Sequence, residues 1–361
     1  MKRSGLIRVL VIDDSAFSRQ SITRMLKTSP LVEVVGVARD GEEALRKALD
    51  LRPDLITLDL EMPRMDGFTF LRIVMSKCPT PVLVISGRAG EDDVFKALEL
   101  GAVDFIAKPT PHAAPELVSI ERELIRKVHS MRELRIEKVR ERLSAMPRIA
   151  RGREAGAVSA PKLVAIGSST GGPAALMEIF GAFADAPHCA FVVVQHMPPG
   201  FTRGFAERLD RLTPLRALEA EGGEEPASGT ILVAPGGSHL EIESFGSQAV
   251  TRVVPATPND KYTPSVDRLF ESAAKHYGAD LLAVVLTGMG DDGRQGVRAV
   301  KDCGGAVIAE SESSAVIFGM PQQAIRTGAV DLVLPLKDVA TAIQRGVGRV
   351  RSWGVGGKVQ V

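Results

Sequence analysis

Three carboxylates and one ammonium group stand directly after short apolar segments in the amino-terminal third of the chain. They are Asp13 and Asp14 after Val9–Ile12, Asp59 after Leu55–Leu58, and Lys108 after Val103–Ala107. In an open parallel sheet the carboxyl ends of the strands share one edge, where ligands bind, so these side chains are expected to converge. Three carboxylates at one spot need a cation, and a ligand set made only of oxygens favours Mg2+.

A carboxylate in such a pocket can also take up a phosphoryl group. Asp59 would attack the phosphorus and hold the group as an acyl phosphate, while the metal and Lys108 neutralise the transferred oxygens. Ser86 follows the apolar run Val82–Ile85 and could bond a phosphoryl oxygen. The alternative is that the acids only cap the helices that follow the strands. Because four suitable residues stand together at strand ends, the sequence favours a site.

A second set of residues suggests nucleophilic catalysis in the carboxyl-terminal half. Ser169 is the middle residue of a G-S-S-T-G turn, residues 167–171, which directly follows the apolar run Leu163–Ile166. In a strand-turn-helix of the type G-x-S-x-G the middle serine is exposed at the sheet edge, and the helix amino terminus behind it favours developing negative charge. Ser169 is therefore the candidate nucleophile.

A serine hydroxyl at neutral pH needs a neighbouring base to take its proton. His196 follows the next strand-like run, Phe191–Val194, and consecutive strands usually lie close in space. The base in turn needs a carboxylate that orients the imidazole. Asp292 is our choice, because it lies in the glycine-rich segment after the apolar run Leu281–Leu286.

Other interpretations of these segments stay open. The loop 167–172 could cradle the phosphates of a dinucleotide, although its spacing departs from G-x-G-x-x-G and Gln195-His196 stands where an acid for the ribose is expected. His239 follows the strand-like run Thr230–Ala234 through a Pro-Gly-Gly-Ser turn and is the rival base.

The composition excludes several classes of protein. A chain of 361 residues is long enough for two domains, each with its own core. With 45 basic and 44 acidic side chains it carries no field that would attract nucleic acid or an anionic membrane. No apolar run approaches the ~18 residues of a membrane span. The three cysteines form no C-x-x-C pair, which favours a reduced cytoplasmic protein without disulfides or zinc.

Strand-like runs alternate with amphipathic segments in both halves, which predicts an α/β architecture. We expect two doubly wound parallel sheets, one flavodoxin-like and one Rossmann-like. An antiparallel ribbon is predicted on the second sheet, formed by Thr230–Val233, Leu240–Glu243 and Val250–Val254. The predicted divisions are a first domain (1–125), a helical and flexible linker (126–160), a second domain (161–350) and a frayed tail (351–361).

Residues 6 to about 125 resemble the receiver domains of two-component signalling. The motifs that carry this resemblance are Val11-Ile12-Asp13-Asp14-Ser15, Leu58-Asp59-Leu60-Glu61-Met62-Pro63-Arg64-Met65-Asp66-Gly67 and Lys108-Pro109. The resemblance implies that Asp59 accepts phosphate from a histidine kinase. It also implies that Mg2+ is held by Asp14, Asp59 and the backbone carbonyl of Glu61, with Asp13 acting through water. Ser86 and Lys108 are then the switch residues beside the phosphoryl group.

The segment from about 162 to 350 resembles the catalytic domain of the chemotaxis protein-glutamate methylesterases, the CheB family. The matching motifs are Ile166–Gly172, Gln195–Thr202, Ala234–Gly236, Pro264–Asp267, Leu286–Gly293 and Phe318–Pro321. The resemblance implies that Ser169, His196 and Asp292 are nucleophile, base and orienting acid. It also places oxyanion donors near Thr170 and Met289.

The residues before the nucleophile and before the acid vary within this family, so an assignment shifted by one residue, to Ser168 or to Asp291, stays open. The implied reaction is hydrolysis of glutamate methyl esters on chemoreceptor helices, with release of methanol and without a cofactor for that step. Deamidation of receptor glutamines also stays open.

The placement of a phosphate-dependent switch ahead of a hydrolase suggests control by phosphorylation, in which the unmodified receiver covers the serine site. The expected partners are methylated receptor helices and a histidine kinase, without nucleic acid and without membrane insertion. The expected location is the cytoplasm, at receptor clusters. The alternative is a response regulator whose second domain only binds a ligand or partner, with Ser169 and His196 as turn residues. A transcription factor is disfavoured, because the sequence has neither a helix-turn-helix signature nor a basic face.

Overall fold

The computed structural model describes residues 5–86, 91–108, 114–131, 139, 162–246 and 248–345. The chain forms two compact units, Met1–Ala145 and Met146–Val361. Most of the expected linker, and the whole of the expected tail at 351–361, lie outside the described residues. Among the helices in the described ranges, none combines the length and the apolar character that crossing a bilayer requires.

The first unit is built on a five-stranded parallel sheet with the order β2-β1-β3-β4-β5. Its strands are β1 (Ile7–Ile12), β2 (Val32–Ala38), β3 (Leu55–Leu58), β4 (Val82–Ser86) and β5 (Asp104–Ala107). Its helices are α1 (Ala16–Leu26), α2 (Gly41–Leu51), α3 (Gly67–Lys77), α4 (Glu91–Glu99) and α5 (Ala114–Ser130). Every residue of the short central strand β3 is buried, which explains its unbroken apolar run.

The helices that follow β1 and β3 are capped by residues other than the expected site acids. The amide of Ser18 in α1 donates to the side chain of Ser15, and the amide of Thr69 in α3 donates to Asp66. Asp14 and Asp59, which end β1 and β3, are therefore not the N-caps of the helices that follow them. Their carboxylates are available for other chemistry.

The second unit contains a seven-stranded parallel sheet with the order β14-β13-β12-β6-β7-β9-β8. Its strands are β6 (Leu163–Ser168), β7 (Ala190–Gln195), β8 (Arg216–Glu219), β9 (Thr230–Val233), β12 (Leu281–Val285), β13 (Ala306–Glu310) and β14 (Leu332–Leu334). Its helices are α6 (Gly172–Gly181), α7 (Phe201–Leu212), α8 (Val266–Tyr277), α9 (Gly296–Asp302), α10 (Met320–Ile325) and α11 (Leu336–Arg345), with a 3-10 turn at Gly278–Asp280.

The antiparallel ribbon is smaller than the sequence predicts. It consists of β10 (Ser238–Phe245) and β11 (Gln248–Pro255), and it packs on α8 through a hydrogen bond from the Ile242 amide to the Ser272 hydroxyl of 3.0 Å. The assignment of Thr230–Val233 to the ribbon was wrong, because this segment is β9 and pairs in parallel with both β7 and β8.

The strand order reverses at β6 in the second unit. From β6 the chain builds outward through β7 on one side and later through β12, β13 and β14 on the other. In such sheets the crevice at the carboxyl ends of the strands flanking the reversal is the usual ligand site. All residues of β6, β7 and β12 are buried, so these three strands form a rigid platform for the loops that follow them.

Candidate active site and phosphoacceptor pocket

Ser169 and His196 leave neighbouring strands at the same level of the sheet. The register pairs Ser168 in β6 with Gln195 in β7, so the next residue of each strand is a candidate catalytic one. The amide of His196 donates to the carbonyl oxygen of Ser168 over 3.0 Å. Since adjacent strands lie about 5 Å apart, the two side chains start from adjoining positions at one sheet edge.

The two adjacent serines differ sharply in environment. Ser168 has no exposed surface, and its hydroxyl donates to Oε1 of Gln195 over 2.7 Å. Ser169 is half-buried, and its amide is fixed by a 3.0 Å hydrogen bond to the carbonyl of Thr287. Only Ser169 therefore offers a hydroxyl that a substrate could reach, which argues against an assignment shifted to Ser168.

His196 and Asp292 form a close pair. Nε2 of His196 lies 2.8 Å from Oδ2 of Asp292. With the Nε2–H donating to the carboxylate, the lone pair of the neutral ring lies on Nδ1, which is the nitrogen able to take a proton from a serine. Within the described residues no hydrogen bond joins Ser169 to His196, so the candidate nucleophile and the candidate base share a sheet edge without a formed contact. Such contacts often tighten only when substrate is bound.

Asp292 is held as an anion at the amino terminus of α8. Burial alone would raise the pKa of Asp292, but the hydrogen bond and charge of His196 and the amides of Asp267 and Val266 hold the pKa below its usual value. The Val266 amide lies 2.7 Å from Oδ2 and the Asp267 amide 2.9 Å from Oδ1. A buried acid with this support is suited to orient an imidazole and stabilise its cation.

The neighbouring Asp291 makes different contacts. Its Oδ1 lies 2.6 Å from Nζ of Lys261 and accepts a 2.9 Å hydrogen bond from the Tyr262 hydroxyl. These two partners lower the pKa of Asp291, the Lys261 contact being the larger cause. Because Asp292 and not Asp291 contacts His196, the geometry favours Asp292 as the orienting acid.

His239 is committed to other partners. Its ring has no exposed surface, Nε2 lies 3.1 Å from Oδ2 of Asp260, and Nδ1 accepts the Ser265 amide over 3.2 Å. The pKa of Asp260 is lowered to about 2, chiefly by the Thr257 amide and then by His239. With both ring nitrogens occupied, His239 ties the ribbon to the segment before α8 and has no free lone pair for Ser169.

The two expected oxyanion donors also lie at this edge. Thr170 follows Ser169 and is almost fully buried, with its carbonyl accepting the Thr287 hydroxyl over 3.0 Å. Met289 follows Gly288, where a Cβ would lie 2.4 Å from Sδ of Met320 and 2.8 Å from Cβ of Ser169, so this loop passes close to Ser169. Over the ranges that the structure describes, the Met289 amide donates no hydrogen bond, so it is available to a developing negative charge.

The first unit brings its expected acids together. Carboxylate oxygens of Asp13, Asp14 and Asp59 all lie within 4.8 Å of one another at the carboxyl ends of β1 and β3. Nζ of Lys108 lies 2.6 Å from an oxygen of Asp13 and 2.6 Å from one of Asp59. Burial raises the pKa of Asp13, an effect that Lys108 partly offsets. Burial alone would lower the pKa of Lys108, but hydrogen bonds to Asp13 and Asp59 raise it.

The expected pocket includes two further residues, Ser86 and Glu61. Ser86 ends β4 beside β3 and β5, but its side chain lies outside the described residues. Glu61 stands two residues after Asp59, in the loop that Gly67 closes with a 2.9 Å hydrogen bond to the Leu60 carbonyl. A Cβ at Gly67 would lie 2.5 Å from the Asp59 carbonyl oxygen, so a glycine is needed where this loop returns to the pocket.

The residues present fit Mg2+. Three carboxylates on two neighbouring strands supply hard oxygen ligands, and softer ligands do not accompany them in the cluster. One of the three acids is exposed, which leaves the pocket open to a phosphate donor.

Comparison with known proteins gives the family of the chain. Residues 164–343 match the family described as CheB methylesterase, and residues 9–119 match the response regulator receiver domain. Protein-glutamate methylesterase/protein-glutamine glutaminase 3 of Geobacter sulfurreducens is 50% identical over 358 residues, covering 93% of this chain and 96% of the relative. The chain belongs to the CheB family of protein-glutamate methylesterases.

The likeness to CheB proteins runs along both units. A protein-glutamate methylesterase/protein-glutamine glutaminase of Myxococcus xanthus is 48% identical over 345 residues, covering 95% of this chain and 98% of the relative. The crystal structure of the Thermotoga maritima CheB methylesterase catalytic domain has a TM-score of 0.50 and 40% identity, covering 51% of this chain and 98% of that domain. The predicted family, its hydrolase class and its pair of parallel α/β domains are confirmed.

Sequence reasoning missed two residues of the CheB-type site. One is Gln195, whose side chain is buried. Its Nε2 donates to the carbonyl oxygens of Ser169 and His196 over 3.0 and 3.1 Å and so joins the ends of β6 and β7. The ring of Tyr262 stacks on His196 with centroids 5.1 Å apart. Gln195 had a signal, since a Cβ at Gly172 would lie 2.0 Å from its Oε1 and the glycine pair at 171–172 marks that approach. Nothing in the sequence around Tyr262 marks its contact with His196.

Proposed function

We propose that the second unit hydrolyses γ-carboxyl methyl esters of glutamate side chains on chemoreceptor helices, with Ser169, His196 and Asp292 as its catalytic residues. The relatives named above are protein-glutamate methylesterases, and this chain spans nearly their whole length. The observation that carries the residue assignment is the 2.8 Å contact between His196 and Asp292 beside the strand end that presents Ser169.

The geometry supports an acyl-enzyme route. Nδ1 of His196 takes the proton of Ser169 as the hydroxyl oxygen attacks the ester carbonyl, and the imidazolium then gives that proton to the departing methoxide. A water molecule, activated by the same nitrogen, attacks the acyl enzyme and releases the glutamate carboxylate. Asp292 stabilises the imidazolium in both halves of the reaction, and no cofactor takes part.

The tetrahedral intermediate needs donors for its oxyanion. We assign this role to the amide of Met289 and to Thr170, which lie beside Ser169 on two different loops. One such donor typically contributes about 3 kcal/mol to transition-state stabilisation.

The same residues are suited to attack a glutamine side-chain amide. The products are then ammonia and the same glutamate carboxylate, and the proton that His196 carries goes to the leaving nitrogen instead of to methoxide. The relatives carry both activities in their names, and we propose both for this chain.

For the first unit we propose that Asp59 accepts a phosphoryl group from a histidine kinase. Asp13, Asp14, Asp59 and the Glu61 backbone carbonyl would hold Mg2+, which when bound supplies positive charge opposite the phosphoryl oxygens. Asp59 provides the attacking oxygen, and Lys108 is close enough to bond the transferred group from the other side. Ser86 is proposed to bond the same group, and its position at the end of β4 supports this role.

We propose divisions at 1–125 for the receiver, 126–160 for the linker, 161–350 for the catalytic domain and 351–361 for the tail. Control then follows from the order of the domains: the unphosphorylated receiver restrains the esterase, and phosphorylation releases it. A tenfold activation needs only about 1.4 kcal/mol of differential stabilisation. A protein of residues 146–361 alone is expected to exceed the unphosphorylated full chain in activity; lower activity would contradict this form of control.

The partners proposed are methylated chemoreceptor helices and a histidine kinase, and the proposed location is the cytoplasm at receptor clusters. The three free thiols, Cys78, Cys189 and Cys303, agree with a reducing compartment.

The decisive experiment is methanol release from a methylated receptor helix, with and without Mg2+ and a small-molecule phosphate donor. We expect release by the wild-type chain and a higher rate with the donor. A chain that releases no methanol, and whose Ser169 does not react with a fluorophosphonate, is a binding module and the proposal is wrong.

A further inference from the structure

The imidazole of His196 is covered on one face by the ring of Tyr262. The ring centroids lie 5.1 Å apart and the ring planes differ by only 6°. This arrangement is an offset parallel stack, within the range in which aromatic pairs attract each other. A stack restricts rotation of the imidazole about its Cβ–Cγ bond. It leaves free the ring edge, on which both Nδ1 and Nε2 lie.

Tyr262 is itself fixed to the loop that carries the orienting acid. Its hydroxyl donates to Oδ1 of Asp291 over 2.9 Å and accepts the Asp291 amide over 3.3 Å. Lys261 also bonds Asp291, over 2.6 Å, and its ammonium lies 5.0 Å from the centre of the Tyr262 ring. Because Asp291 precedes Asp292, the stacked ring and the carboxylate are held by one short segment.

Gly290 makes this anchoring possible. Its φ of +92° favours glycine, and a Cβ at this position would lie only 2.2 Å from the Tyr262 hydroxyl oxygen. The backbone therefore comes close to the phenol at a position where no side chain fits. Tyr262, Gly290 and Asp291 together hold the tyrosine ring against the imidazole of His196. An aromatic side chain that merely covered the surface would not need these contacts.

We propose that Tyr262 is a positioning residue for the catalytic base. It keeps the imidazole in the plane in which Nε2 points at Asp292 while Nδ1 is directed to the Ser169 side. Its π face also favours the imidazolium that forms when the serine loses its proton. This inference rests on the proposed catalytic roles of Ser169 and His196. It predicts a loss in kcat rather than in KM, because the ring acts on the proton-transfer step.

The test compares Tyr262→Leu, which removes the ring, with Tyr262→Phe, which keeps the ring and removes the hydroxyl. Tyr277→Leu is the matched control, because Tyr277 is the other tyrosine of the chain and packs against the core at the end of α8. We expect Tyr262→Leu to lower kcat about 10-fold and to change KM by no more than about twofold. Tyr262→Phe is expected to keep most of the wild-type kcat, and Tyr277→Leu to leave kcat unchanged.

The rate of Ser169 labelling by a fluorophosphonate separates this inference from the substrate assignment, because labelling needs the base but not the methyl ester. We expect a similar decrease for Tyr262→Leu. If wild-type labels but Tyr262→Leu labels equally fast, the positioning role is overturned while the proposed function stands. If wild-type does not label at all, both fail.

A double-mutant cycle keeps the inference testable should Tyr262→Leu not fold. Asp291→Ala removes the anchor of the phenol at a partly exposed position and is expected to lower the labelling rate about threefold. In the Tyr262→Phe background the same change should have no effect, since the phenol is already absent. Equal effects in both backgrounds would show that Asp291 does not act through Tyr262 and would overturn the inference.

Discussion

Nε2 of His196 lies 2.8 Å from Oδ2 of Asp292, although 96 positions separate the two residues in the chain. The same carboxylate accepts further hydrogen bonds from Ser265, Val266, Asp267 and Gly293. With its lone pairs filled by fixed donors, the carboxylate cannot turn away from the imidazole. The acid therefore selects the ring tautomer that leaves Nδ1 free, and this selection is what a change at Asp292 would remove.

Asp292→Asn is expected to lower kcat for methanol release by about 10^3 to 10^4, because an amide can donate to Nε2 and stabilise the wrong tautomer. Asp291→Asn is the matched control. It keeps an oxygen that accepts from Tyr262 and should stay within about threefold of wild-type. Steady-state kinetics of both variants decide the point. Comparable losses in the two, or a larger loss in Asp291→Asn, would show that the orienting acid has been misassigned.

Ser169→Ala and Ser168→Ala separate the two candidate nucleophiles. We expect Ser169→Ala to lower the rate of methanol release by about 10^4-fold or more, while Asp59 still accepts phosphate. The second loses a buried hydrogen bond to Gln195 and is expected to cost about 1 to 2 kcal/mol of stability, with most of the activity retained. Mass spectrometry after fluorophosphonate treatment gives an independent answer, and a label on Ser168 would reverse the assignment.

The strands that carry the site could be predicted because they are buried on both faces. Continuous apolar runs such as Phe191–Val194 are typical of strands buried on both faces. The residue after each run therefore lies at the edge of the sheet where ligands bind. Thr230–Val233 was misplaced because a short strand-like run between turns that contain glycine fits a ribbon as well as a sheet. Its partners, β7 and β8, are set by tertiary packing.

The contacts that support His196, the proposed base, could not be predicted in the same way. Tyr262 lies in a loop without periodicity, and its stack on His196 depends on the path of two segments about 66 residues apart in sequence. The pairing of the rival His239 with Asp260 is equally invisible in sequence, because burial decides whether a histidine after a turn is a base or a structural tie. Motif spacing locates the reacting groups, but the contacts that orient them are long-range.

In the carboxylate pocket of the first unit, Lys108 occupies space near the acids that are proposed to hold a cation. Its ammonium lies 2.6 Å from oxygens of both Asp13 and Asp59, so a bound Mg2+ has to compete with it for negative charge. Lys108→Ala is expected to bind Mg2+ about fivefold more tightly and yet to form acyl phosphate more slowly, since the transferred oxygens lose a partner. Calorimetric titration with Mg2+ measures the first effect, and Lys77→Ala, at an exposed position in α3, serves as the control. Weaker binding in Lys108→Ala would contradict the competition.

Asp267 gives the catalytic unit a pH dependence of known sign. Burial raises the pKa of Asp267 to about 6, and the nearby charge of Asp292 adds to this increase, while the Gly296 and Gln295 amides oppose it. Because the folded chain binds this proton more tightly than the unfolded chain does, the stabilisation is complete below about pH 4 and is lost as the pH rises through about 6.

Asp267→Asn removes the loss of stability at higher pH, because asparagine has no charge to bury. Its amide oxygen can still accept hydrogen bonds from the same two backbone amides. Asp267 lines a polar cavity of about 600 Å³, so water screens part of the effect. We therefore expect the variant to gain on the order of 1 to 2 kcal/mol relative to wild-type between pH 4 and pH 8. Denaturant unfolding of the catalytic unit at both pH values tests this, with Asp185→Asn at an exposed position as the control. A difference between variant and wild-type that does not change with pH would show that Asp267 is ionised in both states and that burial does not hold its proton.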